Sequence, residues 1–188
     1  MKVYIIRHGE SEANKNRQKT GWLDVPLTEK GREDAALARG VLSGVSFDKI
    51  YSSDLLRAKV TAEIAIPGCK YETCAELREI NVGNLAGKFF SEITDSQNSA
   101  ISKEGYKMFG GESTDEFHNR ITSFMHRLES EACENIAIFA HAGWLRKFLD
   151  IVVGTTLPRK NVSCKNCAVG IFEYGDSTWR LHSWINLT

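Results

Sequence analysis

No surplus of either charge marks this sequence: 24 lysines and arginines stand against 24 aspartates and glutamates. A chain with no net positive field has nothing general with which to hold nucleic acid or an anionic membrane, so neither is expected as a partner. Any anion must be held by a few cations gathered locally. Long apolar runs are also missing, as is a basic-then-apolar leader, and the two absences predict a cytoplasmic protein. The five cysteines (Cys69, Cys74, Cys133, Cys164, Cys167) are odd in number and scattered, a poor match to a secreted disulfide framework. Cys164 and Cys167 have CxxC spacing, but tetrahedral zinc needs four ligands and the remaining pair, Cys69 and Cys74, is loosely spaced. A redox CxxC should open a helix after a strand, whereas this one precedes a strand-like run. Reduced structural cysteines are the expectation, with no metal and no cofactor.

What is present fits one domain spanning residues 1–188, long enough to bury a sizeable core. Hydrophobic residues make up 42% and charged residues 26%, a globular balance. No repeat, low-complexity tract or linker interrupts it. Lys2–Ile6 is a short apolar strand, and residues 11–27 are polar and irregular. Thr28 starts an alanine-rich helix that runs to about Leu42. Asp48–Tyr51 and Tyr71–Cys74 are short strand candidates, and Asp54–Ile66 is a helix that Pro67-Gly68 terminates. Residues 80–112, with five glycines and little periodicity, predict a long connection with one short helix near Phe89–Thr94. Ser113 or Thr114 caps an amphipathic helix reaching about Cys133. Asn135–Ala140 is a fully apolar strand and Gly143–Val153 a helix. Ala168–Tyr174 and Thr178–Trp184 form a hairpin around Gly175-Asp176. Strands alternating with helices predict an α/β sheet covered by helices on both faces and closed by an antiparallel C-terminal hairpin.

Two of these strands end in the same way. Lys2–Ile6 runs into Arg7-His8-Gly9, and Asn135–Ala140 runs into His141-Ala142-Gly143. Ligands of open α/β sheets bind outside the carboxyl ends of the strands, so the two histidines can meet if the strands are parallel neighbours. Each alone could equally be a hydrogen-bonded strand-end histidine. The third strand leads into Ser52-Ser53, with Arg57 a turn into the next helix among small and apolar neighbours. A solvated helix arginine is the plainer reading of Arg57. Taken together, Arg7, Arg57, His8 and His141 would form a compact cationic cluster, and guanidinium forks match phosphoryl oxygens in pairs. The ligand these residues predict is a phosphate.

The motifs in order resemble the histidine phosphatase superfamily, which includes the cofactor-dependent phosphoglycerate mutases and small-molecule phosphatases. They are RHGES at 7–11 with Asn14 following, TGWLDVPLT at 20–28, SSDLLRAKVTA at 52–62, LREINVGNLAG at 77–87, GGES at 110–113 and FAHAGWLR at 139–146. The likeness covers essentially the whole chain. It implies a three-layer α/β/α sandwich, its central sheet mostly parallel with an antiparallel C-terminal strand. It implies that His8 is the nucleophile that becomes a phosphohistidine and that Arg7, Arg57 and His141 hold the transferring group. Asn14, Thr20, Gly21 and the backbone of Ala142 would complete the phosphate and substrate contacts. Glu79 would protonate the leaving oxygen; the residues alone do not choose it over Glu76, and the likeness does. Two positions depart from the common pattern, Ala86 for a glutamate and Ala142 for a glycine, and neither is a reacting group.

Mutases and phosphatases of this kind share the phosphohistidine. A mutase must also grip a second anionic group and exclude water, and family mutases do so with a long, arginine-bearing insertion after the acid and an aromatic soon behind it. Here Glu79 is followed by Ile80-Asn81-Val82-Gly83, and no arginine occurs between Ile80 and Asn119. The likeness therefore implies a compact phosphatase acting on a small phosphorylated metabolite, similar to α-ribazole-phosphate phosphatases and broad-specificity sugar or acid phosphatases. Mutase activity is the alternative, and a catalytically silent phosphate-binding module the second. Retention of His8, Arg57 and Glu79 argues for an enzyme. Lys15–Lys19 could contact a second anion, and Trp22, Phe89, Phe90 and Phe109 could wall the pocket. Each could equally be solvated or core.

Overall fold

Residue alternation along the first strand divides the molecule into layers. A computed structural model describes residues 1–187. In β1 (Lys2–Arg7), Val3 and Ile5 pack into one core cluster while Tyr4 and Ile6 pack into another. That is the two-residue period of a strand buried on both faces. On the first face lie α5 (Thr114–Glu129) and α6 (Ala142–Val153), which present Phe117, Ile121, Phe124 and Leu128, and Trp144, Leu145 and Phe148. On the second lie α2 (Glu29–Leu42) and α3 (Leu56–Ala65), whose Ala35, Ala38, Ala62 and Ala65 are small enough to let the helices approach, with Leu42 buried beside them. Burying each large apolar side chain contributes about 1.5–3 kcal/mol, so these two faces carry the fold.

The remaining strands are β2 (Lys49–Ser53), β3 (Glu72–Cys74), β4 (Asn135–Ala140), β5 (Val169–Gly175) and β6 (Thr178–Ile185). Their order in the sheet is β3-β2-β4-β1-β5-β6. β1 and β2 flank β4 in parallel, β3 is parallel to β2, and β5 and β6 run antiparallel. This is the expected α/β/α sandwich, with Asp176 and Ser177 both at positive φ in the hairpin turn. The β1–β4 register sets Arg7 beside Ala140. The residues after them, His8 and His141, therefore emerge side by side at the carboxyl end of the sheet.

Three local expectations need correction. The polar stretch 11–27 contains α1 (Glu12–Lys15), a single turn held by a reciprocal cap in which Ser11 Oγ accepts from Asn14 N–H and Asn14 Oδ1 accepts from Ser11 N–H. The connection 80–112 is more regular than its composition suggests. Besides a 3₁₀ turn at Phe90–Glu92, where the short helix was expected, it contains α4 (Asp95–Glu104). α4 buries no residue and shows no apolar stripe; Thr94 and Gln97 cap its start, and Gly105, at φ 74°, ends it. α5 stops at Glu129, short of Cys133, with Ser130 N–H turned back onto the Arg127 carbonyl. Val82, Leu85, Ile93 and Tyr106 make a small separate cluster beneath this connection. Among the described residues, no helix is long and apolar enough to cross a membrane.

Candidate active site

The carboxyl edge of the sheet opens into a cavity of about 640 Å³ lined by Arg7, His8, Asn14, Thr20, Gly21, Arg57, Glu79 and Ala142, among others. An open groove of about 720 Å³, bordered by Val45–Ile50 and Ile66–Glu72, lies at the amino ends of β2 and β3 and holds none of these residues. The first cavity sits where α/β sheets bind ligands, and the motifs converge there.

His8 and His141 are both buried, with ring centroids 5.1 Å apart. Nδ1 of His8 lies 2.7 Å from the Gly9 carbonyl oxygen. A carbonyl can only accept, so Nδ1 carries the proton and Nε2 keeps its lone pair. Burial holds His8 well below the usual imidazole range, and Arg57 and Arg7 add to the effect. His8 is therefore neutral and nucleophilic at pH 7. His141 is shifted the same way, by burial first and then by Arg57, His8 and Arg7. Its Nε2 lies 2.9 Å from Ser53 Oγ. Among the described residues the proton of that hydroxyl has no other acceptor, so it goes to Nε2 and the ring proton sits on Nδ1. Nδ1 of His141 is buried and, among the described residues, without a partner.

The two arginines are seated by carbonyl oxygens. Arg7 Nη1 donates to Cys164 O, and Arg57 donates to Leu23 O at 2.9 Å and to Gly21 O at 2.8 Å. Arg57 is 1% exposed, so it is not the solvated helix arginine its type suggests. Burial pulls it down to about 10, which leaves it charged at pH 7. Nε of Arg7 and Nε of Arg57 are likewise buried without partners among the described residues. Thr61 Oγ1 accepts from Gly9 N–H and donates to Arg57 O, locking α3 to the end of β1.

Glu79 closes the site from the side. Its Oε2 accepts from Gly143 N–H at 2.9 Å and its Oε1 from Ile80 N–H at 3.0 Å. Gly143 is required here, because a Cβ at that position would lie 2.2 Å from Oε1. The chain around Glu79 is gripped from behind by Arg120, which donates to the carbonyls of Glu76, Arg78 and Glu79. The same guanidinium forks onto Glu112, and Glu112 in turn accepts from Asn81 N–H. Trp22 Nε1 also donates to Glu79 O. Glu76 contributes only its carbonyl to these contacts, whereas the Glu79 carboxyl lines the cavity.

The other expected residues sort themselves by contact. Asn14 Oδ1 accepts from Ser11 N–H and from Asn166 Nδ2, and its side-chain Nδ2 has no partner among the described residues at the cavity wall. Gly21 serves Arg57 through its carbonyl, so its part is indirect. Ala142 is the first residue of α6, and its N–H belongs to the helix N-terminus. Of the basic loop, Gln18 and Lys19 reach the cavity while Lys15, Asn16 and Arg17 face solvent; of the four aromatics, only Phe90 lines it. Ser53, Thr61, Arg120, Glu112 and the Cys164 carbonyl were not foreseen as support for the site. Ser53 and Thr61 carried a signal by standing inside the segment around Arg57, and Glu112 by standing inside GGES.

A sequence model described as the histidine phosphatase superfamily (branch 1) matches residues 3–187. The chain is 31% identical over 199 residues to phosphoglycerate mutase-like protein 4 of Arabidopsis thaliana, across 97% of this chain and 84% of that protein. The α-ribazole phosphatase from Shigella flexneri superposes with a TM-score of 0.87 at 25% identity, covering 100% of this chain and 97% of that one. A phosphoglycerate mutase from Thermus thermophilus superposes at 0.78 with 28% identity over 100% of both chains. The chain belongs to the histidine phosphatase superfamily, branch 1.

Proposed function

We propose that this protein is a cytoplasmic phosphomonoesterase that hydrolyses a small phosphorylated metabolite through a phosphohistidine on His8. One observation carries the reading. Three buried donors in residues close to His8 have no partner among the described residues: Arg7 Nε and Arg57 Nε, whose charges reach His8, and His141 Nδ1, on a ring 5.1 Å from it. Buried donors are ordinarily satisfied, and leaving one unmade costs about 1–3 kcal/mol. A phosphoryl group set against His8 would satisfy all three, with Asn14, Thr20 and the Ala142 N–H at its edge.

In the first step Nε2 of His8 attacks phosphorus and the ester P–O bond breaks. Protonated Glu79 gives its proton to the departing oxygen, and the alcohol leaves. In the second step the Glu79 carboxylate takes a proton from water, whose oxygen attacks phosphorus. The P–N bond then breaks, which frees inorganic phosphate and neutral His8. Fixed guanidinium groups supply the charge stabilisation that phosphoryl transfer needs. The arginine-free run from Ile80 to Asn119 supports hydrolysis over transfer to a second hydroxyl, since it offers none of the paired arginines that the insertion of a family mutase supplies there.

The test is a panel of alkyl and aryl phosphates assayed with a chelator present. Turnover that His8→Ala abolishes is expected, together with an acid-labile phosphoryl label trapped on His8. Turnover surviving His8→Ala would sink the mechanism. Primer-dependent isomerisation of phosphoglycerates would replace the phosphatase reading with a mutase. Inactivity on the whole panel would leave a binding module.

A further inference from the structure

The cavity holds more positive charge than one phosphoryl group needs. Six cationic side chains line it against two carboxylates, in a molecule whose charges balance. None of the six (Arg7, Lys19, Arg57, Arg146, Lys147, Arg159) forms an ion pair among the described residues, while cations elsewhere do: Lys49 with Glu131, Arg78 with Asp54, Arg120 with Glu112 and Arg127 with Glu72. Arg7 and Arg57 face the phosphoryl position. Lys19 is occupied on the opposite wall, donating to Tyr106 Oη and lying over the rings of Tyr106 and Phe90. Arg146 meets the Cys164 thiol and no carboxylate, and the side chains of Lys147 and Arg159 have neither an ion pair nor a hydrogen bond among the described residues.

α6 explains their placement. Its core face carries Trp144, Leu145 and Phe148, so Gly143, Arg146, Lys147 and Asp150 fall toward the cavity. Arg146 follows Gly143 by about one helical turn, roughly 5 Å along the axis. Nε of Arg146 is buried without a partner among the described residues, the same condition as Nε of Arg7 and Nε of Arg57. Its charge is near enough to Arg7 to disfavour that guanidinium's own charge. Asp150 forms no ion pair with the group among the described residues; its carboxylate accepts from Leu157 N–H and its carbonyl from Thr155 N–H. That anchorage brings the segment bearing Arg159 over the same end of the cavity.

We propose that Arg146 and Lys147, with Arg159 above them, form a subsite for a second anionic group on the ligand. That group is a carboxylate or phosphate about one helical turn from the transferred phosphoryl. The inference rests on the phosphoester reading and narrows it: the alcohol released is itself an anion. A guanidinium can take such a group by a two-point fork, with the neighbouring ammonium adding a point charge.

The test uses ligands that cannot turn over, titrated calorimetrically at fixed ionic strength and pH 7.5. 3-Phosphonopropionate and 4-phosphonobutyrate are compared with propylphosphonate and butylphosphonate. One of the carboxylates should bind about tenfold tighter than its uncharged counterpart. Arg146→Gln should shrink that ratio to about twofold, a loss on the scale of one charge-assisted hydrogen bond. Equal affinities in the unmodified protein, or an Arg146→Gln variant that weakens both ligand types alike, would overturn the subsite. If Arg146→Gln does not fold, the ratio is read in a Lys147→Gln/Arg159→Gln double variant, where an unaltered ratio overturns it. Aryl phosphate hydrolysis in chelator is scored separately. Its absence with the ratio intact removes the phosphatase reading and leaves the subsite. Hydrolysis with no ratio removes the subsite alone.

Discussion

The floor of the cavity and its rim are built on opposite principles. The floor is the meeting point of β1, β4 and α3, where His8, Arg57 and His141 are almost fully buried and each is fixed by carbonyl or hydroxyl partners. The rim, contributed by residues 80–112, is a series of short turns and one helix with no buried residue, stabilised by caps and a four-residue cluster. A floor of this kind holds reactive groups within tenths of an ångström, as phosphoryl chemistry demands. A rim of this kind can change sequence without disturbing that geometry. Specificity is therefore expected to reside in the rim and in the α6 wall, and reactivity in the floor.

The strongest way to break this contrast is Gly143→Ala, a single methyl on the floor. The added Cβ would collide with Glu79 Oε1, so the carboxyl must leave its place. We expect a loss of about 100-fold in kcat/KM on alkyl phosphates and a much smaller loss on p-nitrophenyl phosphate, whose leaving group needs little protonation. Steady-state assays of both esters check it, and equal losses would argue against an acid role for Glu79.

Arg120 joins the two regions, since its guanidinium touches Glu112 at the rim and the 76–79 carbonyls at the floor. Arg120→Met should destabilise the protein by about 2–3 kcal/mol in urea denaturation. It should also lower kcat on alkyl phosphates more than on aryl ones. A change in stability with no such dependence on leaving group would make Arg120 a scaffold residue only.

The buried histidines make the floor sensitive to acid. Both are shifted below 6.5, so as pH falls beneath that value the unfolded chain takes up protons that the folded one refuses. Stability present above pH 6.5 is thus lost on acidification, by at most about 1.4 kcal/mol per pH unit for each histidine. Melting curves from pH 7.5 to 5.5 should show this slope, and His141→Gln should reduce it.

The smallest effect is expected at the rim. Tyr106→Phe removes the hydroxyl that receives Lys19 and should shift kcat/KM by less than about threefold. A loss as large as that of Gly143→Ala would erase the distinction between floor and rim.

Legibility in sequence divides along the same line. The layers follow from alternation in β1 and from apolar faces on α5 and α6, which act over short stretches of chain and are visible as pattern. α4 escaped notice because caps stabilise it in place of a buried stripe, and caps at Thr94 and Gly105 are single residues within a polar run. The short helix at Glu12–Lys15 escaped for the same reason. Arg7, His8, Arg57, Glu79 and His141 were legible through their motifs; Ser53 and Glu112 stood inside motifs that did not reveal their partners, and Arg120 stood outside every motif, its 76–79 partners lying far along the chain.

By itself the sequence determined that two buried strands each end in a histidine, that an arginine among small residues follows a third, and that the layers alternate as they do. Local periodicity and residue chemistry suffice for that. Only the tertiary structure decided that β1 and β4 are parallel neighbours, so that those histidines stand 5.1 Å apart. It alone decided that carbonyls from Gly21, Leu23 and Cys164 seat the arginines. It alone brought Arg146, whose Nε has no partner among the described residues, within range of the Arg7 charge. A carbonyl looks the same at every position of a sequence, and which guanidinium it meets is set by chain crossings that no local pattern encodes.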